Sequence, residues 1–527
     1  MRFRLLSFAL VAISLIAEHR AGGVLNVALR SDLKTFNPVT AIDAPSKEVL
    51  SQINADLLTI NRATQQVEPR LAESWTHSKD GKQYILNLRP NLKFSDGSPF
   101  LADDVVYSWN SYLNEHAPQR ELLLIDGKPI EVKKLNEHQV AFTLPQPYAA
   151  AERLFDGLAM LPRSKANKPW DVKTPPGEIV GMGPFRIKEC RPGEAVILER
   201  NPYYWDSGKP YLDGISFHIL ADDELQLARF VSGDLDILNR LSMKSIGYLT
   251  SKGMQVTDLG PGLEYNALAF NLDASHAKPF FTLEFRKALS LATDRDSIVK
   301  LAYQGRATPL WGHVSPGNKL WHNTRIPHPT QDVEAAKAAL KQAGFQTNSK
   351  GQLTFQNEPV SFSILVSSSS QERQQMAQIL AADWLRLGIH AIVTPLDFRS
   401  VVDRITKTRQ FETVLLGLGG GDADPNPEIN VWLSSGSMHV WKPNQKEPTT
   451  IWEAEIDSLM HRQMTTVNKA ERKRLYDRVQ EIAATQSPMI FLASPNVVVA
   501  QRGNIGNFHP AVLHHFTLWN SADLFFK

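Results

Sequence analysis

SFSILVSSSSQERQQMAQILAADWLRLGIHAIVTPLD, residues 361–397, reads as three elements in succession. Residues 361–366 predict a strand, and the serines at 367–370 form a polar turn that offers a helix N-cap. Met376, Ile379, Leu380 and Trp384 then fall at helical spacing. Gly388 stands where such a helix would stop, and residues 389–393 predict a second strand. Strand, helix and strand make a βαβ unit, whose crossover is right-handed in nearly all proteins. The stretch therefore points to an α/β fold.

Working outward, DVEAAKAALKQAGF (332–345) predicts another helix, with Ala335, Ala338 or Ala339, and Leu340 on one face. Residues 469–485 predict a third, ending before Pro488. The earlier part of the chain differs. YILNLRPNLKFSDGSPF alternates between turn formers within a β-rich region of residues 66–144, and PFRIKEC, AVILERN and GISFHIL make a second one over 183–219. In ATDRDSIV, Asp294 and Asp296 flank Arg295 just before Ile298 and Val299, a pattern of helix capping rather than acid–base chemistry. At 527 residues, two or three domains are expected.

Composition narrows the class. Hydrophobic residues make up 43% and charged residues 21%, as in ordinary globular proteins, and the net charge of +2 with no long basic run argues against a nucleic-acid partner. MRFRLLSFALVAISLIAEHRAGG opens with Arg2 and Arg4 and an apolar run too short to span a bilayer comfortably, so residues 1–22 are expected to be a signal peptide. Cys190 is the only cysteine, which excludes an intrachain disulfide, a thiolate metal cluster and a lipid anchor on a cysteine after the apolar run. An exported, unlipidated protein of the periplasm fits these features.

Five further stretches occur in order: LNLRPNLKFSDGSPFLADDVVYSW (86–109), GMGPFRI (181–187), ILERNPYYWDSGKPYLDGISFHIL (197–220), FVSGDLDIL (230–238) and FRKALSLATDRDSIVKLAYQGRATP (285–309). Together they resemble the family-five bacterial extracellular solute-binding proteins, the oligopeptide- and dipeptide-binding receptors of ABC importers. The resemblance implies a two-lobe hinged periplasmic-binding-protein fold of the large three-domain subclass. Lobe one would comprise residues 23–57, 177–270 and 495–527, with a β-rich domain of residues 58–176 inserted in it. Lobe two would be residues 271–494, with hinge crossings near Phe270 and Asn271 and again around Ser494 to Asn496.

Enzyme signatures are missing. No G-x-S-x-G, H-E-x-x-H or G-x-x-x-x-G-K-[ST] occurs, and the two S-x-x-K matches, SDLK (31–34) and SIVK (297–300), lack the companion motifs of penicillin-recognising enzymes. His509, His514 and His515 have no cysteine or nearby carboxylate to complete a metal site. No catalytic role, cofactor or metal is expected.

A receptor that encloses a zwitterionic peptide needs a carboxylate near one end, a cation near the other, and partners for the peptide backbone. The resemblance implies contacts from Phe36 and Asn37 in lobe one, Tyr265 and Asn266 on the hinge strand, and Phe398 and Arg404 in lobe two. In LLGLGGGDADPNPEIN (415–430) it implies Asp422, with Asp424 beside it. Peptide-binding relatives carry there an aspartate that holds the ligand's amine. Aligned without a gap, Gly421 takes that place, and a shift of one residue restores it as Asp422. The expected partners are a small peptide or related solute and membrane permease subunits, with the receptor a monomer. A non-peptide solute such as an opine, a sugar derivative or a metal chelate, or a role as periplasmic chaperone or sensory partner, stays open beside this reading.

Overall fold

The computed structural model describes residues 22–527 apart from 167, 169, 240, 274–278, 281, 420, 421 and 515. The expected signal segment and His515 therefore lie outside the described residues, apart from Gly22 at the end of that segment.

Strand Ser361–Ser367 runs parallel to strand His390–Leu396, in register from Ser361 opposite His390 to Ser367 opposite Leu396. Helix Gln371–Leu385 connects them. Ser370 caps it by accepting from the Arg373 amide at 3.3 Å. Met376, Ala377, Leu380 and Trp384 form its buried face, and the Trp384 indole donates to Leu289 O at 3.0 Å. Ile379 is only half-buried, and Gly388 adopts φ 80° where the chain turns into the second strand. Helix Val333–Gln342 forms as expected, with Leu340 on its buried face but the alanines in a shifted phase. Val333, Ala336 and Leu340 are buried while Ala335 and Ala338 are exposed, because the large Val333 at the first turn sets the phase. Asp294 caps helix Arg295–Ala302 by accepting from Ser297 N at 2.9 Å.

Strands Ala72–His77, Gln83–Leu88, Gln139–Thr143 and Glu131–Asn136 form a four-stranded antiparallel sheet in that order. Helix Ala102–Tyr112 covers it, with Trp109 buried and its indole donating to Ile130 O at 2.9 Å. The apolar core beneath this sheet is continuous with the core of the first lobe. Gly181 and Gly183 of the GMGPF stretch explain how the two join: a Cβ on either would collide with the carbonyls of Ile53 or Gln52 at the end of helix Ala44–Ile53. Only glycine permits that approach of backbone to backbone.

A sheet of twelve strands among the described residues runs through both lobes. Its central member is Met489–Gln501. The second half of that strand pairs with Gln255–Pro261 and Ile237–Leu238, and the first half pairs with Tyr265–Phe270 and Ala307–Pro309. Tyr265–Phe270 also pairs along its length with Thr413–Leu418 and is buried in the core of the second lobe. Between the strand paired with Val498–Gln501 and the strand paired with Thr413–Leu418 the chain runs through Gly262 to Glu264, ahead of the expected crossing near Phe270 and Asn271. Around Ser494 to Asn496, where the return crossing is expected, the shared strand changes partners.

The lobes are in contact. Gln65, fully buried, donates from Nε2 to Gly317 O at 2.7 Å and accepts from Lys319 N at 3.0 Å. Lys319 Nζ donates to Ala63 O at 3.0 Å, and Ala149 N donates to Met464 O at 2.7 Å. Ile60, Ala423 and Leu513 meet in a small apolar cluster between these contacts. Gln65→Ala removes both amide bonds and leaves the buried Gly317 O without that partner, which weakens closure by about 1–3 kcal/mol. Small-angle scattering of the unliganded variant is expected to show a larger radius of gyration than the parent; an unchanged radius contradicts a closing role for Gln65.

Candidate functional site

Between the lobes lies a cavity of about 510 Å³. Lobe one supplies helix Ala44–Ile53, the turn Arg153 to Leu158 and the C-terminal residues Leu518 to Ala522; lobe two supplies Asp422, Asp424, Asn426 and Pro427. Leucines 50, 122, 123, 154, 158 and 518 make much of the wall apolar, and Tyr148, Tyr204 and Trp519 add aromatic surface.

Three carboxylate–guanidinium pairs border this space. Asp156 accepts from Arg62 Nη2 at 2.9 Å and also from Ile60 N at 2.9 Å. Asp56 meets Arg70 at 3.4 Å. Across the lobes, Arg153 Nε donates to Asp422 Oδ2 at 2.7 Å, Arg153 Nη2 donates to Asp422 Oδ1, and Nη1 reaches Gln65 O at 3.2 Å. Burial alone pulls the Arg153 guanidinium down, but its hydrogen bonds to Asp422 outweigh that and hold it above the ordinary arginine value.

Asp56 behaves differently. Burial lifts its carboxyl from 3.8 to about 6, against the opposing charge of Arg70. An acid whose folded value is raised keeps its proton while the unfolded chain has already released it. Stability therefore falls as pH climbs from 3.8 to about 6, and the penalty stays constant above that. Asp56→Asn is expected to flatten the stability profile across this window and to gain on the parent above pH 6. Urea midpoints at pH 4, 5, 6 and 7 check this, and parallel profiles for the two chains refute it.

The sequence-expected residues take several positions. Asp422 and Asp424 line the cavity. Asp424, however, is buried in a bidentate pair with Arg472, at 2.8 and 2.7 Å, so its charge is met within lobe two. Phe36 is 1% exposed in the first core, and Asn37 lines a separate cavity of about 240 Å³ with Tyr107 and Trp170. Tyr265 is 1% exposed in the second core, and its hydroxyl, buried, has no hydrogen-bond partner among the described residues. Asn266 donates to the Tyr303 hydroxyl at 3.1 Å and lies 3.5 Å from Arg373 Nη1, which places it at the hinge. Phe398 is 60% exposed and Arg404 is exposed; neither lines the interlobe cavity. Sequence reasoning missed Arg153, Asp56, Arg62 and Asp156. None lies in a recognisable motif, and Arg153 and Asp422 are 269 positions apart.

Two α/β lobes sharing one strand and enclosing a cavity define a binding protein of the hinged, two-lobe class. The chain belongs to the bacterial extracellular solute-binding proteins of family 5, whose model matches residues 66–439 under the description "Bacterial extracellular solute-binding proteins, family 5 Middle". It is 26% identical to the dipeptide-binding protein of Escherichia coli, covering 97% of each chain. It is also 26% identical to haem-binding protein A of Haemophilus influenzae, covering 87% of this chain and 84% of that one. The fold superimposes on the ABC transporter substrate-binding protein CtaP of Listeria monocytogenes with a TM-score of 0.80 at 24% identity, covering 96% of this chain and 99% of that one. No helix among the described residues is long and apolar enough to cross a membrane.

Proposed function

We propose that this chain captures a peptide-like solute in the cavity between its lobes and delivers it, closed, to the permease of an ABC importer. The observation that carries this reading is a cavity of about 510 Å³ whose wall is completed only when lobe two brings Asp422 to Asp424 against lobe one. A ligand touching both lobes stabilises the closed state through contacts that an open state lacks. Membership in a family of extracellular solute-binding proteins and likeness to a protein named for dipeptide binding support the peptide class. Within this reading residues 1–22 serve for export, the mature chain works unlipidated and as a monomer in the periplasm, and residues 58–176 act as an insertion in lobe one. Asp422 is the lobe-two carboxylate that faces the cavity, and Asp424 holds the loop that carries it.

Thermal unfolding tests the class. A pool of di- to pentapeptides, free and amine-blocked together, is expected to raise the melting temperature, since a ligand at 100 times its Kd adds about 2.7 kcal/mol. A rise with monosaccharides or metal chelates and none with the peptide pool would overturn the peptide reading.

A further inference from the structure

Asp422 is the carboxylate with which lobe two could receive a solute's ammonium, and it is already engaged. Both oxygens accept from Arg153, and the Ala423 amide donates to Oδ1 at 2.6 Å. Arg153 comes from the opposite lobe, its side chain is 11% exposed, and its remaining bond goes to Gln65 O. An ammonium that took Asp422 would leave this guanidinium enclosed with no carboxylate on it. A nearly buried charge stripped of its partner weakens binding by about 100-fold or more.

The other carboxylates of the cavity give no better anchor. Asp156 is saturated by Arg62, Ile60 N and the Thr59 hydroxyl. Asp56 has Arg70 beside it, and burial favours its uncharged form. Leu154 and Leu158, either side of the already paired Asp156, and Leu122 and Leu123 add apolar wall to the same cavity.

We infer that Arg153 is a specificity-determining residue: it stands where a solute's ammonium would sit, and the solute end received here is uncharged and apolar, as in an N-acylated peptide. This rests on the peptide reading above and narrows it. The guanidinium supplies the positive charge that Asp422 requires, so a free amine meets no open carboxylate at this loop.

The test uses two pools of the same tri- to pentapeptides, one with free α-amines and one N-acetylated, titrated into the purified chain by calorimetry. The N-acetylated pool is expected to bind about 100-fold more tightly. Arg153→Ala, which frees Asp422, is expected to improve binding of the free-amine pool at least about tenfold. Arg153→Met keeps the aliphatic bulk and serves if the alanine variant does not fold. Equal or tighter binding of the free-amine pool by the parent chain overturns the inference while leaving the peptide reading intact. So does failure of the Arg153 variant to gain free-amine binding. If neither pool binds the parent chain, the peptide reading itself falls and this inference falls with it.

Discussion

Arg472→Met is expected to destabilise the chain by about 3–5 kcal/mol, enough to threaten folding at physiological temperature. Arg472 is enclosed in lobe two, with 5% of its side chain exposed against 4% for Asp424. It grips both Asp424 oxygens, donates to Asn426 Oδ1 at 2.9 Å and donates from Nε to Gln463 O and Oε1 at 3.1 and 3.0 Å. Its guanidinium also stacks 4.8 Å from the Trp321 ring centre. Methionine fills the space of the stem but leaves the Asp424 carboxylate buried with no cation, and that uncompensated charge dominates the loss. Adding Asp424→Leu in the same chain is expected to recover a large part of it, because a buried pair is worth little more than apolar groups that fill its volume. Urea denaturation of the two variants decides the matter: a single variant within 1 kcal/mol of the parent removes the pair from the list of elements that hold the Asp422 loop.

Gly317→Ala is expected to cost the closed state about 3 kcal/mol, which lowers solute affinity roughly 100-fold. A Cβ at 317 would overlap the carbonyl oxygen of Pro261 and approach that of Gly262, both backbone atoms where strand Gln255–Pro261 ends. No flexible side chain is there to give way, so the loop or that strand end has to move. The same carbonyl of Gly317 accepts from Gln65, so the displacement also loosens the contact between lobes. The effect is expected on closure rather than on global stability. Scattering and affinity should change together while the urea midpoint moves little, and a variant that binds solute like its parent contradicts this account.

What the sequence disclosed followed from local periodicity. The Met376, Leu380 and Trp384 stripe and the serine cap are determined within one helix, so the βαβ unit was legible before any contact was known. The helix beginning at Val333 and its buried Leu340 were legible too, but the phase of the alanines was not, since three alanines at permissive spacing carry less phase information than one valine. Which part of the sheet strands Gln255–Pro261 and Tyr265–Phe270 join was illegible, because only three residues separate them and the answer depends on which half of Met489–Gln501 each one meets. The cavity's charge pairs were illegible for the same physical reason. Arg153 sits in an unremarkable turn, ERLF, and gains its role only when folding carries Asp422 from the other lobe to its guanidinium. Phe398, an aromatic residue that invites a binding role, stands mostly in solvent outside the interlobe cavity.

Strand Met489–Gln501 also constrains how the molecule can come apart. Each lobe borrows half of this one ribbon to complete its sheet, so neither can melt without stripping hydrogen bonds from an edge the other needs. Calorimetry should therefore trace one heat-absorption peak for the whole chain, not a pair of peaks for two lobes. Cutting the gene at the hinge should yield fragments that associate through the exposed ribbon or aggregate along it, because an unpaired strand edge is a template for another chain. The joint that permits motion is thus also the seam that makes the protein a single thermodynamic body.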